Sequence, residues 1–253
     1  MQKMAHPKGS PLTASGKGIT SGGENRAAAY KRHVIEVVLW VIGFVVLIVA
    51  SIMVHSHPAP WPFDLQTTIA IQRIQYPGWL RACIAAISHL NDPVPAGITL
   101  ALWFVGLAIF RKFQQAIFLG VGVTLADWIE FVLNHFVNRP RPSSPLIHVY
   151  QPEPIPSFPS GHTEHDMVYY GFLLYLSFTK PVRQWRYYRF LLPLQILAVV
   201  IMFTIGYSRI LEGSHWITDA LAGYLSGALL LMVLIWLYRW TTIKLAERKV
   251  KKS

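Results

Sequence analysis

Charged residues and cysteine are both scarce in this sequence. Charged side chains make up 14% of its 253 residues, whereas hydrophobic side chains make up 53%. Because a soluble domain usually carries about a quarter charged residues, this deficit indicates that much of the chain is buried in a membrane. The single cysteine, Cys83, excludes an internal disulfide framework, and no sulfur-based metal site is expected.

Acidic residues are also few, so the chain is strongly basic. Its 12 Asp and Glu are outnumbered by 23 Lys and Arg, which gives a formal net charge of +11. Such a charge could indicate nucleic-acid binding, but the basic residues are dispersed among hydrophobic runs, so no nucleic-acid partner is expected. Their distribution instead follows the positive-inside pattern and favours contact with anionic lipid head groups. Most of them lie within residues 3–32, 111–112, 180–189 and 239–252.

Hydrophobic runs about as long as a bilayer is thick account for most of the chain. They predict an all-α, polytopic membrane bundle of six transmembrane helices. Between the first two runs, residues 64–90 carry apolar residues at helical spacing with polar residues interspersed, which predicts an interfacial helical segment. No internal repeat indicates a transporter built from paired halves. The six predicted transmembrane helices cover residues 34–54, 94–110, 116–137, 163–179, 190–207 and 217–240.

The basic clusters also predict how the chain is oriented. Residues 1–32 are rich in Gly, Ser, Lys and Ala and are predicted to form a disordered basic cytoplasmic tail, and residues 241–253 a second basic cytoplasmic tail. The six-helix domain would span residues 33–240, in what is expected to be a bacterial plasma membrane. The first apolar run begins too late and is too long for a cleaved signal peptide. The segments predicted to face away from the cytoplasm are 55–93, 138–162 and 208–216.

Two of these outward segments carry clustered Arg, Ser, His and Asp. In the last of them, His215 precedes Asp219 by four residues at the start of the sixth predicted helix, so the two share one face. A carboxylate one turn away can hold an imidazole in one tautomer and stabilise its charged form. Such an imidazole can act as a nucleophile toward phosphorus. The alternative, an interfacial histidine that makes a local hydrogen bond, remains open for this pair alone.

The other segment contains Pro159-Ser160-Gly161-His162, which is typical of the start of a helix. Pro cannot extend a helix from within, and Ser is a good N-cap. Gly161 removes side-chain bulk where backbone amides approach a ligand, and free N–H groups at a helix start bind phosphate. His162 is therefore suitably placed to protonate a leaving oxygen.

Three arginines, Arg139, Arg141 and Arg209, supply planar donor groups that match phosphate oxygens. Together, these segments resemble the type-2 phosphatidic acid phosphatase superfamily, which includes lipid phosphate phosphatases and undecaprenyl-diphosphate phosphatases. The motifs of that family are Lys-x6-Arg-Pro, Pro-Ser-Gly-His and Ser-Arg-x5-His-x3-Asp. The second motif is present in full at residues 159–162, and the third at Ser208, Arg209, His215 and Asp219.

The resemblance implies a role for each motif residue. His215 would be the nucleophile that forms a phosphohistidine, His162 the general acid, and Asp219 the partner of His215. Arg139 is an additional candidate for phosphate binding beside the first motif. The family chemistry requires no metal and no other cofactor, and the sequence has no conventional metal-binding constellation. The motif residues implied in phosphate binding are Arg141, Ser160, Gly161 and Arg209.

Two positions depart from the family pattern and are expected to tune the site. Asn134 stands where the first motif has Lys, so an uncharged amide replaces one cation of the expected phosphate site. Glu164 adds a carboxylate near that site, which is unfavourable unless it faces away or pairs with Arg. Asp127 and Glu130 lie on the same stripe as Asn134 inside the third predicted helix. Intramembrane carboxylates of this kind are functional or structurally paired, and the sequence leaves both options open.

The expected function is hydrolysis of a lipid phosphate or diphosphate by an integral membrane phosphatase. The residues do not choose among an isoprenyl diphosphate, phosphatidic acid and phosphatidylglycerol phosphate as the substrate. Two alternatives stay open: a lipid phosphotransferase of the same family, and a non-catalytic lipid-binding member, which Asn134 makes conceivable. Membrane lipids are the other expected partners, and the motifs leave the oligomeric state open.

Overall fold

A computed structural model describes residues 17–150 and 152–251 of the chain. These residues form helices and connecting loops, without a β-strand. The chain divides into two units, residues 1–42 and 43–253, and the described part of the first unit is the beginning of helix α1. The helices are α1 (Lys17–Ser56), α2 (Pro62–Gln72), α3 (Gly78–Leu90), α4 (Pro93–Ile109), α5 (Phe113–Val137), α6 (Gly161–Ser177), α7 (Lys180–Arg183), α8 (Leu192–Leu211) and α9 (Ile217–Val250), with a short 3-10 turn at Tyr188–Leu191.

Within the described residues, four helical segments are long and apolar enough to cross a membrane, and a fifth crossing results if α3 and α4, which meet at a bend of 70°, form one broken span. The predicted all-helical membrane architecture is therefore confirmed. A helix lies at each of the six predicted positions, but α4 and α6 have only 17 residues each, so six crossings stay a prediction. The interfacial location of α2 and α3 also stays a prediction. The four segments are Ala28–Ser56, Phe113–Val137, Tyr188–Leu211 and Ile217–Val250.

Helix extends into both predicted tails. Helix α1 already begins at Lys17, so residues 17–32 are helical and not disordered, while residues 1–16 lie outside the described part. The alanines at 27–29 favour this extension because alanine has the highest helix propensity. At the other end, α9 continues past residue 240 to Val250. Lys, Leu, Ala and Glu dominate that extension, and all are good helix formers.

Helix α6 lies at the centre of the bundle and packs against α5, α8 and α9. Its apolar side chains form the core together with side chains from α5 and α9, whereas the outer faces of the bundle expose many large apolar residues, as expected for contact with lipid. The core contains Leu119, Val123, Ala126, Val168, Tyr169, Phe172, Leu176, Leu234 and Tyr238.

A glycine on α9 allows α6 to approach very closely at its N-terminal end. A Cβ atom at Gly223 would clash with the Thr163 hydroxyl and the Ser160 carbonyl oxygen. Small residues of this kind let helix backbones pack closely within membranes. The first turn of α6 is thereby held against the first turns of α9, which brings the second and third motifs together.

The loop from α5 to α6 is fastened to the same end of the bundle. Asn138 adopts a left-handed conformation (φ 52°) that ends α5. The Ser157 N–H then donates to the Arg139 carbonyl at 2.8 Å, and the Ser160 N–H donates to the Asp219 carbonyl at 3.0 Å. The end of α5, the starts of α6 and α9 and the end of α8 therefore meet at one site.

Candidate active site

A cavity of about 370 Å³ opens where these helix ends meet. His162 and His215 both line it, on the same side as Arg141. Apolar residues of α4 and α5, including Leu100 and Val123, also line the cavity. The polar lining of the cavity consists of Asn91, Asp127, Glu130, Arg141, Glu153, His162, His165 and His215.

His215 lies in the loop between α8 and α9 and is 1% exposed. Its Nδ1 is 2.8 Å from the Ser157 carbonyl oxygen. Because a carbonyl oxygen only accepts, Nδ1 carries the proton and Nε2 presents its lone pair, 3.2 Å from Arg141 Nη1. Burial, together with the positive charges of Arg141 and Arg209, holds the pKa of His215 well below its ordinary value. The imidazole is therefore neutral at neutral pH, as a nucleophile must be.

Asp219 does not hold this imidazole in the direct way that its spacing predicts. Its Oδ2 lies 3.8 Å from His215 Nδ1 and instead accepts a hydrogen bond of 2.9 Å from the Trp216 N–H at the start of α9. The backbone carbonyl of Ser157 sets the tautomer of His215. Because any residue type can supply a backbone carbonyl, the sequence carries no signal for this contact. Asp219 contributes by capping α9, whose first turn fixes the loop that carries His215.

The placement of Arg139 corrects its predicted role in phosphate binding. The side chain is fully buried outside the cavity. Its Nη1 donates to Asp219 Oδ1 at 2.6 Å, and its Nη2 donates to Asp64 Oδ2 at 2.6 Å. Both terminal nitrogens of this guanidinium are thus occupied by buried carboxylates, and only its buried Nε has no partner among the described residues, which is the placement of a structural residue.

Asp64 is the main site residue that the sequence analysis missed. It lies on α2, is 0% exposed, and its Oδ1 accepts hydrogen bonds from the Thr218 N–H at 3.1 Å and the Thr218 hydroxyl at 2.8 Å. The Asp64–Arg139–Asp219 triad thus ties α2 to the first turn of α9. The sequence shows Asp64 only as a lone carboxylate at the start of an amphipathic segment. The residues that Asp64 contacts are distant in the sequence, so no local pattern predicts its role.

Arg141 and Arg209 converge on one carboxylate. Glu153 Oε2 is 2.8 Å from Arg141 Nη2, and its Oε1 pairs with Arg209 Nη2. Arg209 is 2% exposed and also pairs with Glu212 Oε2 at 3.2 Å. The two arginines that the resemblance assigns to phosphate binding are therefore adjacent, and both bond to the same anion. Sequence reasoning did not single out Glu153, because a lone glutamate in a Pro-rich loop carries no periodic or motif signal.

The start of α6 presents polar groups without partners beside these arginines. Ser160 is the N-cap residue of α6 and is fully buried, and its hydroxyl has no hydrogen-bond partner among the described residues. His162 Nε2 is likewise buried and unpartnered within the described chain, its nearest carboxylate being Asp92 at 3.9 Å. Gly161 and His162 line the cavity. Buried polar groups normally have partners, so this arrangement suits an anion at a helix start.

Of the two expected tuning residues, neither lines the cavity. Asn134 is 3% exposed and donates from Nδ2 to Glu130 Oε1 at 2.8 Å, and the Glu130 carboxyl group packs against Gly161. Asn134 is thus linked to the cavity lining through Glu130. Glu164 is fully buried where α6 contacts Gly227 of α9 and does not line the cavity, which is the facing-away arrangement that the sequence left open.

Further acidic groups lie along the cavity and behind it. Asp127 Oδ1 is 2.9 Å from His165 Nδ1, and Asp166 accepts from Asn91 Nδ2 at 2.8 Å. Within the described residues, no group of three or more His, Cys, Asp and Glu could hold a metal ion.

The family model described as the PAP2 superfamily matches residues 115–243, which include all three motif segments. The chain belongs to the PAP2 superfamily. Phosphatidylglycerophosphatase B from Bacillus subtilis (strain 168) is 26% identical over 193 residues, covering 74% of this chain and 88% of the relative. Among solved structures, the transmembrane PAP2 type phosphatidylglycerolphosphate phosphatase from Bacillus subtilis is similar with a TM-score of 0.62 at 23% identity, over 77% of this chain and 93% of that one.

The LpxE structure from Aquifex aeolicus is also similar, with a TM-score of 0.55 at 24% identity, over 69% of this chain and 96% of that one. Both structural likenesses establish that the fold is that of membrane PAP2 proteins. The resemblance inferred from the motifs is confirmed, and the chain is an integral membrane protein of this superfamily.

Proposed function

We propose that this protein is a membrane phosphatase that hydrolyses a lipid phosphate with His215 as its nucleophile. The observation that carries the proposal is the shared cavity: the neutral His215, the unpartnered His162 and Arg141 all line it beside the start of α6. The apolar residues that α4 and α5 contribute to its lining suit a substrate whose tail stays in the bilayer. A soluble phosphate ester would not need an apolar lining beside the polar site, and a purely scaffolding protein would not need the two histidines.

The chemistry follows from the protons that each group holds. In the free site, burial and the positive charges of Arg209 and Arg141 hold the pKa of His162 well below its ordinary value. The proton that His162 donates would therefore enter with the bound phosphate, whose negative charge favours the imidazolium form. The phosphoryl group would bind between Arg141, Arg209 and the backbone N–H groups at the start of α6, where its oxygens find donors. His215 Nε2 attacks phosphorus, and the bond to the lipid oxygen breaks as His162 delivers a proton to that oxygen. The resulting Nε2-phosphohistidine retains its Nδ1–H bond to the Ser157 carbonyl.

The second half of the reaction returns the site to its starting state. Water attacks the phosphohistidine while His162, now neutral, accepts its proton, and His215 leaves as a neutral imidazole with inorganic phosphate as the product. Arg141 and Arg209 stabilise the charge on the equatorial oxygens in both steps. Each step needs only side chains that are present, so the proposed hydrolysis requires no metal.

Phosphatidylglycerol phosphate is the first substrate to test, since a relative that aligns over 88% of its length carries the name phosphatidylglycerophosphatase B. Phosphatidic acid and an isoprenyl diphosphate are the other candidates. The assay is inorganic phosphate release by detergent-purified protein in the presence of a chelator, with His215→Ala as the control. Release from one lipid that disappears in the variant supports the proposal. Release that persists in the variant, or that requires a divalent metal, contradicts the mechanism.

Two rival functions give different outcomes in the same assay. A phosphotransferase would pass the phosphoryl group to an added lipid or glycan acceptor faster than to water. A non-catalytic member would release no phosphate from any lipid although it is folded. The intact cavity lining of His162, His215 and Arg141 favours hydrolysis over the non-catalytic alternative.

The proposed orientation places the cavity on the non-cytoplasmic face, with both termini in the cytoplasm. The basic turns at residues 111–112 and 180–189 lie between helices at the ends away from the cavity, which supports this orientation through the positive-inside rule. Cys83 on α3 is exposed and provides a native probe. A membrane-impermeant maleimide should label Cys83 in intact cells; labelling only after permeabilisation would reverse the orientation.

A further inference from the structure

Glu153 occupies the place between the two arginines where the proposed mechanism needs the phosphate. One carboxylate oxygen bonds Arg141 Nη2 at 2.8 Å, and the other bonds Arg209. Its side chain is 26% exposed and lines the same cavity as His162 and His215. A carboxylate that bridges two guanidinium groups satisfies the same donors that a phosphate would use.

The loop that carries Glu153 keeps this carboxylate close to the arginines without locking it in place. The Tyr150 N–H donates to the Glu212 carbonyl at 3.0 Å, and the Ser157 N–H donates to the Arg139 carbonyl at 2.8 Å, so the segment is fastened on both sides. Such a short tether gives the carboxylate a high effective concentration at the arginines. Glu153 is nevertheless partly exposed, so it can leave when another anion binds.

We infer that Glu153 is an intrachain ligand of the phosphate site, which substrate and inorganic phosphate must both displace. This inference rests on the function proposed above. A group that blocks only the free enzyme lowers the apparent affinity of every ligand of that site by the same factor, because each ligand must first select the unblocked state. It leaves the bound complex, and hence the chemical step, unchanged.

The second acidic partner of Arg209 provides a matched control. Glu212 Oε2 pairs with Arg209 at 3.2 Å and also accepts a hydrogen bond from the Ser88 hydroxyl at 2.8 Å, but it does not line the cavity. Replacing either glutamate removes one negative charge next to Arg209. Only the replacement of Glu153 also vacates the position between the two arginines.

The test compares Glu153→Gln and Glu212→Gln with the unchanged protein in detergent micelles. The measured quantities are KM and kcat for phosphatidylglycerol phosphate and the inhibition constant for inorganic phosphate. Glu153→Gln should lower KM and the inhibition constant by a common factor of about tenfold, the size expected for losing a charged hydrogen-bond competitor. Its kcat should not change. Glu212→Gln should leave both constants much less affected.

Three outcomes would overturn the inference: unchanged constants in Glu153→Gln, equal effects of the two substitutions, or a fall in kcat that assigns Glu153 to the chemistry. If Glu153→Gln folds poorly, Glu153→Ala removes the same carboxylate and tests the same point. Stabilisation of the purified protein against heat by inorganic phosphate gives a second measurement that needs no turnover. Silence of the unchanged protein on every lipid would refute the proposed function, whereas this binding measurement would still decide the role of Glu153.

Discussion

The buried triad of Asp64, Arg139 and Asp219 gives the sharpest test of how the site is held together. Arg139→Met removes the only cation of the triad and leaves two carboxylates that are 0% exposed. Removing one partner of a buried ion pair costs about 3–5 kcal/mol, because the remaining charge stays buried without compensation. Asp64→Asn should cost less, about 1–3 kcal/mol, since Arg139 keeps its 2.6 Å bond to Asp219 and loses only one charged hydrogen bond.

The decisive comparison is the double substitution. In Arg139→Met the Asp64 carboxylate is an unpaired buried charge, so adding Asp64→Asn should recover part of the lost stability although it removes yet another native group. Thermal unfolding in detergent should show the order unchanged protein, Asp64→Asn, the double variant, then Arg139→Met. For a chain of this size 1 kcal/mol corresponds to about 2–4 °C. The Arg139→Met shift should therefore be on the order of 6–20 °C.

Additive losses in the double variant would show that the three side chains are not coupled, and the reasoning would fail. A different refutation would come from activity. If Arg139→Met keeps its melting temperature but loses phosphate release through a higher KM, Arg139 binds the substrate phosphate as the sequence predicts, and the structural assignment is wrong.

Three further predictions concern the cavity itself. Burial and nearby arginines lower the pKa of His215, so the proposed nucleophile stays neutral in mild acid. After correction for the ionisation of the substrate, the acid limb of kcat/KM should therefore lie below the ordinary histidine pKa of about 6.5. A limb above that pH would contradict the assignment. Asn134→Lys should place an ammonium group next to Glu130 and the start of α6 and lower KM a few-fold, whereas a rise in KM would indicate that the local charges are balanced without it. Gly223→Val should separate α6 from α9 and reduce turnover by about a hundredfold. Gly120 is a helical glycine that faces open space, so Gly120→Val should leave turnover unchanged. Equal effects of the two substitutions would refute the role of close packing.

The fold was largely predictable because its signal is local. Each apolar run long enough to cross a bilayer identifies a helix without knowledge of any other part of the chain, and helices lie at all six predicted positions. The difference lies at the N-terminal end, where residues 17–32 were predicted to be disordered and are helical, while α9 continues beyond the predicted span end at residue 240. Charge indicates that a segment leaves the membrane core, but Lys, Arg and Glu are themselves good helix formers and do not end a helix.

The site was predictable only as far as its motifs specify residue types. His162, His215 and Arg141 meet in one cavity as expected. The motif assigns phosphate binding to Arg141, but the sequence could not exclude Arg139, two residues away, because the difference lies in their partners: Arg139 bonds to two buried carboxylates, and Arg141 contacts His215. One of those carboxylates, Asp64, lies on a segment that the motifs do not reach.

These partners suggest why a carboxylate can stand between the phosphate-binding arginines at all. The charges of Arg141 and Arg209 would repel each other in a partly buried site without an anion, and water alone compensates poorly there. Glu153 supplies that anion from within the chain, so the arginines can stay oriented before a substrate arrives. The same contact lowers affinity, and the structure thus links preorganisation of the site to weaker binding of phosphate. A variant at Glu153 that binds phosphate more tightly should therefore also leave Arg141 and Arg209 less ordered in the free protein.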